Sequence, residues 1–166
     1  AVYYKQGRTD KIGNDMKKRN IIYTLILSAL FCASAMFQSC TLETSGNGKL
    51  DGYWHLIAVD TIATGGTCDL SQKRLFWGVQ AKIINMSDRD NRSCDFLLRF
   101  EHVKTILRVY SPLINDRSAG DKPVDNAEVL KPFGIEALEQ SFKIETLKSK
   151  RMTLVTDKLK LHFYKM

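Results

Sequence analysis

The chain has 166 residues and a formal net charge of +7, a balance that would suit a nucleic-acid partner. Lys5, Arg8, Lys11, Lys17, Lys18 and Arg19 against Asp10 and Asp15 place +4 of that charge before Thr41, and the remaining +3 is interspersed with acids, as on a solvated surface. A nucleic-acid binder is therefore not expected, and the 126 residues that follow Cys40 (166 less 40) suffice for one domain with its own core.

Met16 to Cys40 has the order of an export signal. Lys17, Lys18 and Arg19 come first, then uncharged and mostly apolar residues from Ile21 to Phe37, then Gln38-Ser39-Cys40. The apolar run is slightly shorter than the about 20 residues a spanning helix needs, and it contains Thr24, Ser28, Cys32 and Ser34. Its end resembles the lipobox of Gram-negative lipoproteins, in which a small residue precedes the cysteine that takes a diacylglyceryl group and becomes the mature N-terminus. Ser39 fits that small position, and Phe37 stands where Leu is usual.

The resemblance implies lipid attachment at Cys40. The other readings are an ordinary cleaved signal or an uncleaved anchor with Cys40 a plain thiol. Each buried CH₂ contributes about 0.8 kcal/mol and two chains hold a protein stably on a membrane, so a lipidated Cys40 tethers the domain to a bilayer. Some surface-exported lipoproteins carry an acidic run after that cysteine. Thr41-Leu42-Glu43-Thr44 has one acid, which favours the periplasmic face of the outer membrane over the cell surface. The chain thus divides into a non-native or overcalled extension (1–15), a signal peptide (16–39), a flexible tether rich in small polar residues (40–51) and a folded domain (52–166).

Outside the cytoplasm disulfides persist, and the domain keeps two cysteines, Cys68 and Cys94. Either they pair, closing a loop worth on the order of 3 kcal/mol in the chain-entropy account, or they are two separate buried thiols.

From Gly52 the apolar pattern alternates with period two, the signature of half-buried strands. Tyr53–Val59 is apolar on both faces, with Trp54, Leu56 and Ala58 on one of them. A turn-rich loop from Asp60 to Arg74 holds Gly65-Gly66 and Cys68. Leu75–Asn85 then reads as one strand with Leu75, Trp77, Val79, Ala81 and Ile83 facing the core. Ser87–Ser93 reads as a hairpin connection into Phe96, Leu98 and Phe100, and Thr105–Ser111 follows with Leu107 and Val109 inward against Arg108 and Tyr110. Pro112 is expected to end that strand, leaving Leu113–Asn126 as a long loop with the composition of a lid or crossover. Asp125 or Asn126 caps a short helix through Glu128, Val129 and Leu130; Pro132 and Gly134 stop it, with room for a second turn from Ile135 to Gln140. Three short strands close the chain around Phe142 and Ile144, Met152 and Leu154, and Leu159, Leu161 and Phe163, joined by tight turns.

These residues predict a mainly β domain, a small antiparallel up-and-down barrel of about seven or eight strands with one short helix, since closure removes exposed edges. Gly52-Tyr53-Trp54 resembles the Gly-x-Trp opening of lipocalins. With Leu130-Lys131-Pro132-Phe133-Gly134-Ile135, Met152-Thr153-Leu154 and Leu159–Phe163, the stretch from Leu50 to Met166 resembles the small lipocalin-like domains of Gram-negative lipoproteins of unknown function. Lipocalins also carry a Thr-Asp-Tyr motif and an Arg packed on the Trp, and neither stands at the expected middle and late positions.

The resemblance implies a small hydrophobic ligand in the barrel, with Trp54, Trp77, Phe100 and Tyr110 as pocket residues. In a barrel this small the same aromatics serve equally as core filling, and the protein is then an envelope interaction or inhibitor module without a ligand. His55, His102 and His162 lack a local partner at metal-ligand spacing. No acid–base pair or nucleophile signature stands out, so neither enzyme activity, metal nor cofactor is expected. Asp60-Thr61-Ile62 resembles an O-glycosylation pattern of exported bacterial proteins.

Overall fold

The computed structural model describes residues 45–91 and 95–166. The segment expected to direct export (16–39), Cys40 and Cys94 lie outside them. The chain separates into units Ala1–Glu43 and Thr44–Met166, and all that follows concerns the second.

Among the described residues ten strands form in chain order: β1 Gly52–Thr61, β2 Thr67–Asp69, β3 Leu75–Gln80, β4 Ile83–Asp88, β5 Asp95–Val103, β6 Ile106–Ile114, β7 Lys122–Pro123, β8 Gln140–Leu147, β9 Arg151–Val155 and β10 Leu159–Lys165. Eight of them run in the order β1-β3-β4-β5-β6-β8-β9-β10, and β10 pairs back on β1 from Trp54↔Lys165 to Thr61↔Leu159. The sheet is therefore a closed antiparallel barrel with no open edge along its wall. β2 adds to β1 and β7 to β6 as short flaps.

The alternation seen in the sequence becomes an inside and an outside. β5 buries Phe96, Leu98 and Phe100 and exposes Arg99 and Glu101, while β9 buries Met152 and Leu154. The buried apolar residues other than Phe76, which stacks on Tyr53, form one cluster whose members run from Leu50 to Phe163. The unit Thr44–Met166 thus carries a complete hydrophobic core of its own.

The structure departs from the sequence reading in several places. Leu75–Asn85 is two strands, with a hairpin turn at Ala81-Lys82 that Ala81 makes by adopting φ 53°. Crossing that turn reverses the parity. Ile84 and Met86 face the core, and Ile83 is 46% exposed. Ser87, expected in a connection, is a buried residue of β4.

Pro112 does not end β6. Ser111 takes φ 50°, and the register with β5 shifts between Leu97 and Arg99, so the proline sits in a bulge, one of the few places a strand admits it. The expected long loop shortens accordingly: Leu113 and Ile114 belong to β6 and Lys122-Pro123 to β7. Between them the Asp116 carboxylate accepts hydrogen bonds from the Ser118 and Ala119 amides. No second helical turn follows Ile135; instead the Gln140 side chain accepts from the Glu136 amide. At the start of the domain, Gly48–Leu50 forms a 3₁₀ turn with Leu50 fully buried, so these residues, expected as tether, pack with the barrel.

Candidate functional site

The barrel interior is where the resemblance points, and its two ends decide what can enter. At the end where β1 begins, Trp54 is fully buried and its indole N–H donates to the Leu50 carbonyl at 2.7 Å. The 3₁₀ turn thus covers this mouth. Lys165, at the end of β10, places Nζ 4.6 Å from the centre of the Trp54 ring. The same ammonium donates to the carbonyls of Lys49 (2.8 Å) and Asp51 (2.5 Å). Burial pushes its pKa below the ordinary lysine value, partly offset by Asp51 nearby. A cation on the tryptophan is thus present, although the sequence contains no arginine suited to the role.

The opposite mouth is closed by the 3₁₀ helix Ala127–Phe133, the expected short helix. The Asn126 side chain caps it by accepting from the Glu128 amide at 2.9 Å, and Gly134 ends it at φ 80°. Leu130, Phe133 and Ile135 are fully buried, and Phe133 meets Phe96 edge-on at 5.9 Å. Contact with the wall is so close that a Cβ on Gly134 would come within 2.2 Å of Leu161 Cδ2.

Between the two plugs the lumen is apolar and occupied. Trp77 lies opposite Trp54 in the β1–β3 register and packs on Phe163 (5.1 Å) and Phe142 (5.9 Å). Phe100 joins the same cluster. Of the four aromatics singled out from the sequence, Trp54, Trp77 and Phe100 are therefore interior. Tyr110 is not: it is half-buried on the outer wall, beneath the Arg108 guanidinium at 5.2 Å from its ring centre. There it helps line a groove of about 500 Å³ with Ile83 and Arg99.

One polar atom in the lumen is unusual. Trp77 Nε1 is buried without an acceptor among the described residues, and such a donor costs about 1–3 kcal/mol.

The histidines are dispersed. His55 Nε2 lies 2.6 Å from the Lys73 carbonyl, His102 Nε2 2.9 Å from that of Lys104, and His162 Nε2 2.7 Å from Asp60 Oδ2. The His162 contact is the first cause that lowers the Asp60 pKa, with the Thr67 hydroxyl second. Among the described residues no three His, Cys, Asp or Glu side chains gather as metal ligands. Cys68 is exposed on β2, and its pairing with Cys94 involves a residue outside those described.

Comparison with known proteins agrees with this architecture. A family model described as "Lipocalin-like domain" matches residues 35–166. The fold is similar to a crystal structure of a lipocalin-like protein from Bacteroides uniformis, with a TM-score of 0.55 and 19% identity over 72% of this chain and 100% of that one. It is also similar to an uncharacterized protein from Bacteroides eggerthii, with a TM-score of 0.52 and 22% identity over 70% of this chain and 98% of the other. No curated protein matches the chain.

Proposed function

This chain belongs to the lipocalin-like domain family, and we propose that it is a non-enzymatic, membrane-tethered envelope protein that works through the outside of its barrel. The fold is one that binds ligands in other settings. The observation that carries the proposal is the state of the lumen, where Trp54, Trp77, Phe142 and Phe163 stand fully or almost fully buried between two plugs. An eight-stranded barrel leaves room for side chains or for one small ligand. Here the side chains take the room.

The tether rests on the signal-like segment and on Cys40 within Gln38-Ser39-Cys40. On this reading the domain sits in the cell envelope, the single acid of Thr41-Leu42-Glu43-Thr44 favours the periplasmic face of the outer membrane, and the partner we propose is an envelope protein. Titration of the folded unit with an apolar fluorophore, read by tryptophan quenching, tests the closed lumen. Quenching should rise linearly without saturation, and a saturable one-to-one curve would overturn the proposal.

One observation favours the second reading, a small hydrophobic ligand in the barrel. The unpaired Trp77 Nε1 is a donor that an acceptor on such a ligand would satisfy. On that reading the helix Ala127–Phe133 must swing aside to admit it, and Trp77→Phe weakens binding.

A further inference from the structure

Lysines and arginines that are scattered in the sequence are brought together by the meander. The β3–β4, β5–β6 and β8–β9 turns all fall at the end of the barrel where β1 begins. That rim carries Lys49, Lys82, Lys104, Lys148, Lys150 and Arg151, every one of them exposed. The acids nearest to them are already engaged. Asp51 accepts from Asn47 and lies by Lys165, Glu101 pairs with Arg108 at 3.4 Å, and Glu145 pairs with Lys160 at 2.9 Å. Histidine adds little, because His102 is turned onto the Lys104 carbonyl. The opposite rim mixes acids such as Asp88, Asp116, Asp125 and Asp157 with cations such as Arg74, which pairs with Asp90 at 2.7 Å, Arg89, Lys131 and Lys158, so the excess of positive charge falls at the rim where β1 begins.

The basic rim is also apolar at its tips. Val103 is 63% exposed, Ile106 43% and Met166 66%. Val103 and Ile106 flank the β5–β6 turn and face each other in register, forming a small wedge ringed by lysines. The chain enters the barrel at this same rim: the Asn47 side chain donates to the Ala81 carbonyl at 2.8 Å. From Cys40 to Ser45 the chain spans at most about 18 Å when fully extended.

We propose that this rim docks on the anionic headgroups of a lipid bilayer, with the Lys82, Lys104 and Lys148–Lys150 turns on the phosphates and Val103, Ile106 and Met166 among the headgroups. The proposal deepens the tethered reading and rests on it for proximity. A lipid at Cys40 would hold the barrel near the membrane, and the rim at which the chain enters is the one with matching charge. Near an anionic surface each Lys or Arg is worth about fivefold in affinity at moderate salt. The rim adds orientation to attachment, leaving the opposite mouth, closed by the helix Ala127–Phe133, turned away from the bilayer.

The test uses the unit Thr44–Met166, which holds its whole core, with vesicles of phosphatidylethanolamine and phosphatidylglycerol, and with phosphatidylcholine vesicles as the neutral control. The unit should sediment with the anionic vesicles alone, and lose them at about 0.5 M salt, where screening reaches within a few ångström. Lys82→Glu, Lys148→Glu and Lys150→Glu together should weaken binding by about 100-fold or more, while reversing the cations Lys122 and Lys131 at the other rim leaves it unchanged. Binding to neither vesicle, binding indifferent to the rim reversal, or equal rim-dependent binding to duplex DNA would overturn the docking. The salt titration of the unaltered protein decides the matter should the triple variant misfold. The tether is read separately, by membrane partition of the full chain with and without Cys40→Ala. No change on that substitution sinks the tether and leaves the vesicle result standing.

Discussion

Lys165→Met removes an ammonium that three groups share and keeps most of the aliphatic stem. In the wild-type barrel Nζ donates to the Lys49 and Asp51 carbonyls and lies 4.6 Å from the Trp54 ring centre. Hydrogen bonds from a charged group contribute about 1.5–3 kcal/mol each when buried, and a cation on an aromatic face about 0.5–2 kcal/mol. The residue is half-buried, so the low end applies, and water can re-solvate the Lys49 carbonyl. The expected loss is about 2–3 kcal/mol, roughly 10 °C in Tm for a domain of this size. Lys165→Arg should keep most of the stability, since a guanidinium serves the same carbonyls and ring. Urea unfolding followed by tryptophan emission measures both. The signal itself should change in the Met variant, because the altered contact is on Trp54. A loss under about 0.5 kcal/mol would refute the view that Lys165 clamps this end.

Gly134→Ala forces a side chain onto a φ of 80° and into Leu161. Left-handed strain of about 1–2 kcal/mol and overpacking of about 1–3 kcal/mol should combine to loosen the helix plug, seen as faster amide exchange at Leu130 and Phe133. Asn126→Ala removes the cap on the same helix and should cost about 1 kcal/mol in chemical unfolding, with Asn126→Asp restoring it. The depressed carboxyl pKa of Asp60, held down first by its bond to His162, means that the folded state binds fewer protons there than the unfolded chain. Its stabilisation is present above the ordinary value of 3.8 and is lost as pH falls below that through the lower folded pKa. Acid unfolding of Asp60→Asn should therefore show a shallower fall over that window than the wild type.

Much of the barrel was legible because burial on one face leaves period-two alternation in the residues. Trp54 and Leu56, Phe96 to Phe100, and Leu161 and Phe163 all sit where their spacing placed them. The helix cap was legible to within one residue, Asn126 taking the role that Asp125 could equally fill, and the Gly134 stop holds, whereas Pro132, expected to end the helix, lies inside it. What escaped was of two kinds. Some turns carry no signature: Ala81-Lys82 and Ser111-Pro112 depend on left-handed φ at residues that rarely adopt it, so a hairpin was missed and a strand was cut short.

Other features are long-range. Lys165 reaches carbonyls 114 and 116 residues upstream, and no local pattern announces such a pairing. The same holds for the basic rim, where Lys49, Lys82 and Lys104 join the local run Lys148, Lys150 and Arg151 only when the strands return to one end. Tyr110 sat with Arg108 on the polar face of β6 in the sequence pattern, which agrees with its place on the outer wall better than a lumen role does.

Native mass spectrometry of the protein released from membranes, with its domain folded, bears most directly on a barrel filled by its own side chains. The account predicts a single species whose mass is that of the polypeptide and its N-terminal modification. A stoichiometric small molecule that survives desolvation, and that is lost in a variant with Trp77 replaced by Phe, would contradict it.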